Sequence, residues 1–263
     1  MKATTELFKN KKYQISHRAF IMGIFAMAWI LLACSPKNTS TEEWIQLFNG
    51  KNLDGWTVKI TGHDVGDNYA NTFRVEDGIL KASYDDYDQF DNRFGHLFYE
   101  KPFSSFKLRV EYRIVGEQMP GGPSWGNRNN GVMFHSQSPE SMEIDQNFPT
   151  SIEAQLLSNG DDTNNTNGNV CTPGTIVEID GEDIQGHCFS SGSKQYYDGD
   201  WITFELVVYE DSIAHHIIEG DTVLTYSNIR LDNGSPLSEG YIAIQAESHP
   251  TEFRLIEIME LGE

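Results

Sequence analysis

Between Ser105 and Val115 the chain alternates without a break. Phe106, Leu108, Val110, Tyr112 and Ile114 interleave with Lys107, Arg109, Glu111 and Arg113. Side chains project from a strand with period two, so this stretch has one apolar face and one charged face. A strand of this kind needs a sheet around it and a second layer against its apolar side. The same pattern recurs at Asn129 to His135, Ser151 to Leu157, Trp201 to Val208, Gly240 to Glu247 and Glu252 to Ile258. Hairpins are expected around Asp77-Gly78 and around Glu219-Gly220-Asp221, and a hairpin-like opening over residues 45–56. Residues 116–129 and 158–200 read as long loops. No helical period follows residue 33. Many short strands with turn punctuation predict an all-β sandwich or barrel.

The first 33 residues read as an address. Lys2, Lys9, Lys11, Lys12 and Arg18 precede an uncharged apolar run from Ala19 to Ala33. That run is short for a membrane span and suits an export signal. It ends in Leu31-Leu32-Ala33-Cys34, which resembles a bacterial lipobox. The resemblance implies cleavage before Cys34, lipidation of its thiol and a membrane-anchored lipoprotein in the periplasm or at the cell surface. The division expected is therefore a signal peptide over 1–33, a tether over 34–44 and one domain over 45–262.

Charge narrows the partners. The formal net charge is −20, and removing the leader makes it more negative still. Such acidity argues against nucleic acid and against basic-patch binding to anionic membranes. It is compatible with neutral ligands such as sugars. Nothing demands a cofactor. A divalent cation such as calcium would suit the acidic loops at Asp88 to Asp91 and Asp161-Asp162, though such runs are also ordinary solvated loops. With Cys34 assigned to the lipobox, Cys171 and Cys188 remain as a pair in an exported chain, where disulfides persist. A bridge between them would contribute about 3 kcal/mol in the chain-entropy model. A Cys–His metal site with His187 is the alternative.

Two strands carry acids and amides opposite their apolar residues. Ile152, Ala154 and Leu156 alternate with Glu153 and Gln155; Ile242 and Ile244 alternate with Gln245 and Glu247. If those polar faces meet, they make a site; if not, they are solvated strand faces.

Five segments carry a resemblance: LFNGKNLDGW (47–56), NNGVMFHS (129–136), SIEAQLL (151–157), GDWITFELVV (199–208) and GYIAIQAESHPTEFRLIEI (240–258). In this order they resemble the bacterial 3-keto-disaccharide hydrolases, also described as 3-keto-glucoside 1,2-lyase/hydratase domains. CTPGT (171–175) with Cys188 is similar to a subgroup. The resemblance implies a concanavalin-like jelly roll of two antiparallel sheets, with one face presenting the site. It also implies a carbohydrate substrate with a carbonyl at C3. A base removes the acidic C2 proton, the C1 aglycone is eliminated, and water adds to the enone. Glu153 and Glu247 are the expected acid–base pair, with Glu153 as base. Many members carry a His at the position of Glu247; this chain has the Gln-x-Glu form. Gln155 and Gln245 would orient hydroxyls, His135 would shuttle a proton or donate to the enolate, and Arg254 would stabilise negative charge. Asn130 and Trp125 complete the substrate-binding set; Trp125 would either stack on a sugar face or pack into the core.

Two other readings compete. Glu143-Ile-Asp145 resembles the start of the laminarinase Glu-x-Asp-x-x-Glu strand, but Phe148 stands where the second Glu belongs, and retention needs two carboxyls about 5 Å apart. A carbohydrate-binding module without catalysis would keep the aromatics and amides yet have no need of Glu153 and Glu247.

Overall fold

The alternating stretch is a strand, Phe106–Ile114, in the interior of the larger of two antiparallel sheets. The computed structural model describes residues 43–160, 163–184 and 186–262; the leader, Cys34, most of the tether and Asp161-Asp162 lie outside the described residues. In chain order the first strands are β1 (Ile45–Gln46), β2 (Trp56–Ile60), β3 (Phe73–Glu76), β4 (Ile79–Ala82), β5 (Gly95–Tyr99) and β6 (Phe106–Ile114). Next come β7 (Asn129–Ser136), β8 (Ile152–Leu157), β9 (Val170–Cys171), β10 (Thr175–Ile179), β11 (Glu182–Asp183) and β12 (Cys188–Phe189). The last are β13 (Ile202–Tyr209), β14 (Ile213–Ile218), β15 (Asp221–Leu231), β16 (Tyr241–Ala246) and β17 (Thr251–Glu260). The ten-stranded sheet runs β11-β10-β15-β14-β13-β6-β17-β4-β3, with β1 also paired to β17. The seven-stranded sheet runs β12-β9-β8-β7-β16-β5-β2. Among the described residues, helix is confined to three 3-10 turns of three residues each. This is the concanavalin-like jelly-roll sandwich.

The core lies between the sheets. Phe106, Leu108, Val110, Tyr112 and Ile114 of β6 join Phe204 and Leu206 of β13 and Ile256 of β17 in one buried cluster with Val132, Phe134, Ile152, Ala154, Leu156, Ile242 and Ile244 of the smaller sheet. Burial of each such side chain is worth about 1.5–3 kcal/mol. The other face of β6 carries a ladder of charges. Arg109 bonds Glu257 at 2.6 Å and Glu205 at 3.0 Å, and Arg113 bonds Glu252 at 2.7 Å. Lys107 reaches Glu205 at 3.0 Å. These partly exposed pairs fix register more than they stabilise.

Turn chemistry is as the residues dictate. Asp77 and Gly78 both have positive φ, 51° and 80°, and close the β3–β4 hairpin as a two-residue primed turn. Glu219-Gly220 does the same between β14 and β15; Asp221, expected in the turn, pairs with Ile218.

Two expectations are corrected. The opening segment is no hairpin: β1 adds to β17 and β2 to β5, in different sheets. Leu47 and Phe48, between them, are buried in the core, so the chain crosses the sandwich there. The stretch 158–200 is also more than loop. It holds β9 to β12, and Val177 is fully buried. Its Asn and Gly density hid strands of two to five residues.

The layering predicts unequal costs of substitution. Phe204→Ala should lose about 3–5 kcal/mol in urea unfolding, whereas Arg113→Ala on the charged face should lose less than about 1 kcal/mol.

Candidate active site

Period two puts half of each strand of the smaller sheet on the face turned away from the core. Register then decides which side chains meet there. Glu153 stands opposite Met133 of β7 on one side and Cys171 of β9 on the other, and Cys171 stands opposite Cys188. Gln155 stands opposite Gly131. Gln245 stands opposite His96 of β5, and Glu247 follows just beyond the end of β16. The two polar faces seen in the sequence therefore belong to one surface. There they border a cleft of about 350 Å³ lined by Asn129, Glu153, Gln155, Glu247, Trp125, Phe148, His187 and the Cys171–Cys188 pair.

Loops supply the walls. The segment 137–150 folds over the outer face, where Met142 and Phe148 pack on Phe98, Met133 and Ala243. Phe94, Phe148 and Trp125 form an aromatic wall: Trp125 stacks on Phe94 at 5.6 Å with planes 6° apart. Trp125 is still 54% exposed, which leaves indole surface for a ligand. The Pro-Gly-rich loop that carries it is ordered against residues 247–248. Gln118 Nε2 donates to Ser248 Oγ at 2.8 Å, and Met119 N donates to the Ser248 carbonyl. Ser248 itself has φ 86°, a conformation L residues avoid, and its N–H donates to the buried Tyr84 hydroxyl at 2.7 Å. This strained corner sets the position of Glu247.

The acids are dry. Glu153 and Glu247 are 5% and 3% exposed, and neither makes an ion pair among the described residues. Burial pushes the Glu153 carboxyl up to about 8. Burial, with the Glu153 charge added to it, holds Glu247 far above the ordinary carboxylate range. Two such groups cannot ionise together, so the pair keeps a proton well above the pH at which a solvated carboxyl would lose it. Gln245 Nε2 lies 3.5 Å from Glu247 Oε1. Several buried polar atoms on this one face have no hydrogen-bond partner among the described residues: Glu153 Oε1, Glu247 Oε2, Gln245 Oε1, Asn129 Oδ1 and His96 Nε2. Unspent atoms so concentrated mark a place for a polar ligand. His96 stays neutral, its burial and the nearby Lys59 pushing it down to about 3.

One glycine makes room. A Cβ on Gly131 would fall 2.6 Å from Glu153 Oε1 and 3.1 Å from Gln245 Oε1. The acid and the amide can lie over the β7 backbone only because that position carries no side chain.

Of the residues singled out from the sequence, Glu153, Glu247, Gln155 and Trp125 line the cleft, and Gln245 lies beside Glu247 in the same face. Three do not belong to it. His135 sits at a bulge of β7, with φ 45°, and its ring turns to the Glu210 carbonyl at 3.0 Å and to Phe106. Arg254 lies on the charged face of the other sheet, bonded to Glu111 at 2.5 Å and stacked over Trp201. Asn130 points to the core side, where it donates to the Gln245 carbonyl at 2.9 Å and braces that strand. Its neighbour Asn129 is the cleft residue, and parity with Met133 was the signal that could have found it. Phe148 and His187 had no periodic signal at all, because both sit in loops.

The cysteines are bridged, with Cα atoms 4.1 Å apart across β9 and β12, so they are not thiolate ligands and the Cys–His metal alternative falls. Among the described residues no group of three or more His, Cys, Asp or Glu could hold a metal ion. Glu143 and Asp145 are exposed on the 137–150 loop rather than set along a strand, which removes the laminarinase-type pair.

Comparison with known proteins agrees with this architecture. Two structures of candidate glycosyl hydrolases from Parabacteroides distasonis superpose with TM-scores of 0.52 and 0.54, at 16% and 20% identity. They cover 83% and 84% of this chain and 100% and 95% of their own. The exoplasmic/lumenal domain of VIP36, in a form bound to Ca²⁺ and Man3GlcNAc, gives 0.50 at 8% identity over 85% of this chain and 90% of its own. At these identities the likeness is one of fold. No curated protein matches the chain. The model of the 3-keto-alpha-glucoside-1,2-lyase-like domain matches residues 43–259, which is the whole sandwich with its cleft, and the chain belongs to that family.

Proposed function

We propose that this domain cleaves 3-keto-glycosides by elimination of the C1 substituent, followed by hydration of the product. The observation that carries this reading is the pair of buried carboxyls, with no cation paired to either among the described residues, on a face with unspent amide oxygens. A ketone at C3 makes the C2 proton removable by a carboxylate. The Glu153 carboxylate takes that proton, and the electron pair forms the C1–C2 double bond. The C1–O bond breaks with its pair on the aglycone oxygen, which takes the Glu247 proton. In hydration the roles reverse. Glu247, now ionised, activates water for addition at C1, and Glu153 returns a proton to C2. Gln155, its Oε1 held by Asn169 Nδ2 at 3.2 Å, has N–H groups for the C3 oxygen as charge develops there. Gln245 and Asn129 offer acceptors to sugar hydroxyls. The export-type leader and the Cys171–Cys188 disulfide support a location outside the cytoplasm, with Cys34 as the tether.

A chromogenic 3-keto-glucoside, compared with its unoxidised parent, tests the chemistry. Release only from the keto sugar is expected, and Glu153→Gln should lose at least about 10³-fold in kcat. Release from the plain glucoside would sink the elimination mechanism; release from neither would leave a sugar-binding domain.

The pH dependence has a defined sign. kcat/KM should rise with pH and level off above about 8, as Glu153 ionises. The folded carboxyl, raised from its ordinary 4.5, holds a proton in that window which the unfolded chain releases, so stability should fall as pH climbs from about 4.5 to about 8. Glu153→Gln should therefore raise Tm at neutral pH while abolishing turnover, and a lowered Tm would contradict the account. Gly131→Ala should leave a folded protein with kcat/KM reduced about 10²-fold, because the added methyl displaces the base.

A further inference from the structure

Glu153 and Glu247 are 5% and 3% exposed in the cleft, and elimination leaves them out of step. It puts a proton on Glu153 and takes one from Glu247. When water adds before the enone departs, the two steps together restore both acids. When the enone departs first, Glu153 keeps its proton and Glu247 stays ionised until protons pass between the acids and solvent. Carboxyls this buried have little direct contact with water, so that passage needs a carrier in the wall. Apart from the acids and His187, the described residues lining the cleft are aromatics, amides and the bridged cysteines, none of which takes up a proton near neutral pH. His187 differs, because it borders the cleft and is itself exposed to solvent.

We propose that His187 carries protons between the buried acids and solvent, and so resets the pair whenever the enone leaves before hydration. This rests on the elimination reading given above. The position of His187 is fixed from two sides. Cys188, the next residue, is bridged to Cys171, and Cys171 stands opposite Glu153 on the neighbouring strand. The His187 carbonyl accepts from Thr172 N at 3.0 Å and from Thr172 Oγ1 at 3.4 Å. The backbone of this wall therefore lies two strand spacings from Glu153, about 10 Å, a gap that an imidazole and one or two waters span. In the transfer the Glu153 O–H bond breaks as an imidazole nitrogen gains its N–H, and the imidazolium passes a proton to water. The reverse sequence, from water through the ring, reprotonates Glu247. Only protons move, and nothing is oxidised or reduced. Imidazole suits the task because its two ring nitrogens can accept on one side and donate on the other.

The test follows aglycone release from a chromogenic 3-keto-glucoside by the full chain in dilute buffer. His187→Ala should release a first equivalent at the wild-type rate and then turn over at least about tenfold more slowly. Added imidazole should restore the steady rate of this variant and do nothing for Glu153→Gln. A steady rate equal to wild type, a first turnover slowed as much as the later ones, or a loss that imidazole does not repair would overturn the assignment. A second measurement needs no turnover. The imidazole NMR signals that His187→Ala removes should show an inflection at about pH 8, as Glu153 titrates, and Glu153→Gln should abolish it. If wild type releases nothing from the keto sugar, the elimination reading itself fails, and this titration judges the link between His187 and the acids alone. An inflection lost in Glu153→Gln supports the link; signals without it overturn the link.

Discussion

Glu153 and Glu247 are held out of water on the face of a sheet, and among the described residues no cation is set against either of them. A carboxylate there has lost its hydration without gaining a counter-charge, so the protein keeps protons on the pair at the cost of stability. Everything near them serves that condition. Gly131 lets the side chains lie flat on the sheet. The 137–150 segment and the Trp125 loop close off solvent. Ser248 accepts a strained backbone so that Glu247 enters from the end of β16.

The sandwich makes this affordable by separating tasks between its two sheets. One face of the smaller sheet joins the apolar core and carries the folding energy. Its other face is then free to carry groups that fold badly. The larger sheet has a contrasting outer face, where charges such as Arg109, Glu205 and Glu257 satisfy one another in partial contact with water. Acids occur on both outer faces. On the smaller sheet, burial raises the Glu153 and Glu247 carboxyls toward and beyond neutral pH.

Period two made the layers legible. It sorts Phe106 to Ile114, and it sets Glu153 and Gln155 on the other face from Ile152 and Ala154. Period two is local, however, and fails where the strand breaks rank. Strict alternation would set His135 on the face of Met133, yet a bulge in β7 turns its ring inward. Arg254 was likewise a matter of which sheet a strand enters, and parity carries no such information. Asn130 and Asn129 differ by one residue, and that one residue is the difference between bracing a strand and lining the cleft. Phe148 and His187 depend on how loops fold back over the sheet, a long-range property with no repeat to betray it. The Asn- and Gly-rich stretch 158–200 hid β9 and β12 because two-residue strands carry almost no pattern.

The Cys171–Cys188 bridge joins β9 and β12, which pair at only two positions and form one edge of the smaller sheet. Both sulfurs border the cleft. Beside the bridge, Thr172 N donates to the His187 carbonyl and Ser191 N to Asn169 Oδ1, so a covalent bond and a few hydrogen bonds together fasten the wall beside Glu153. Assembly of the cleft is thus a chemical event that can lag behind assembly of the core. A chain with its thiols still reduced would have the packed sandwich and the acids in place, but an unfastened side to the cavity. Exposure to an oxidant, rather than folding as such, would then complete the wall beside Glu153.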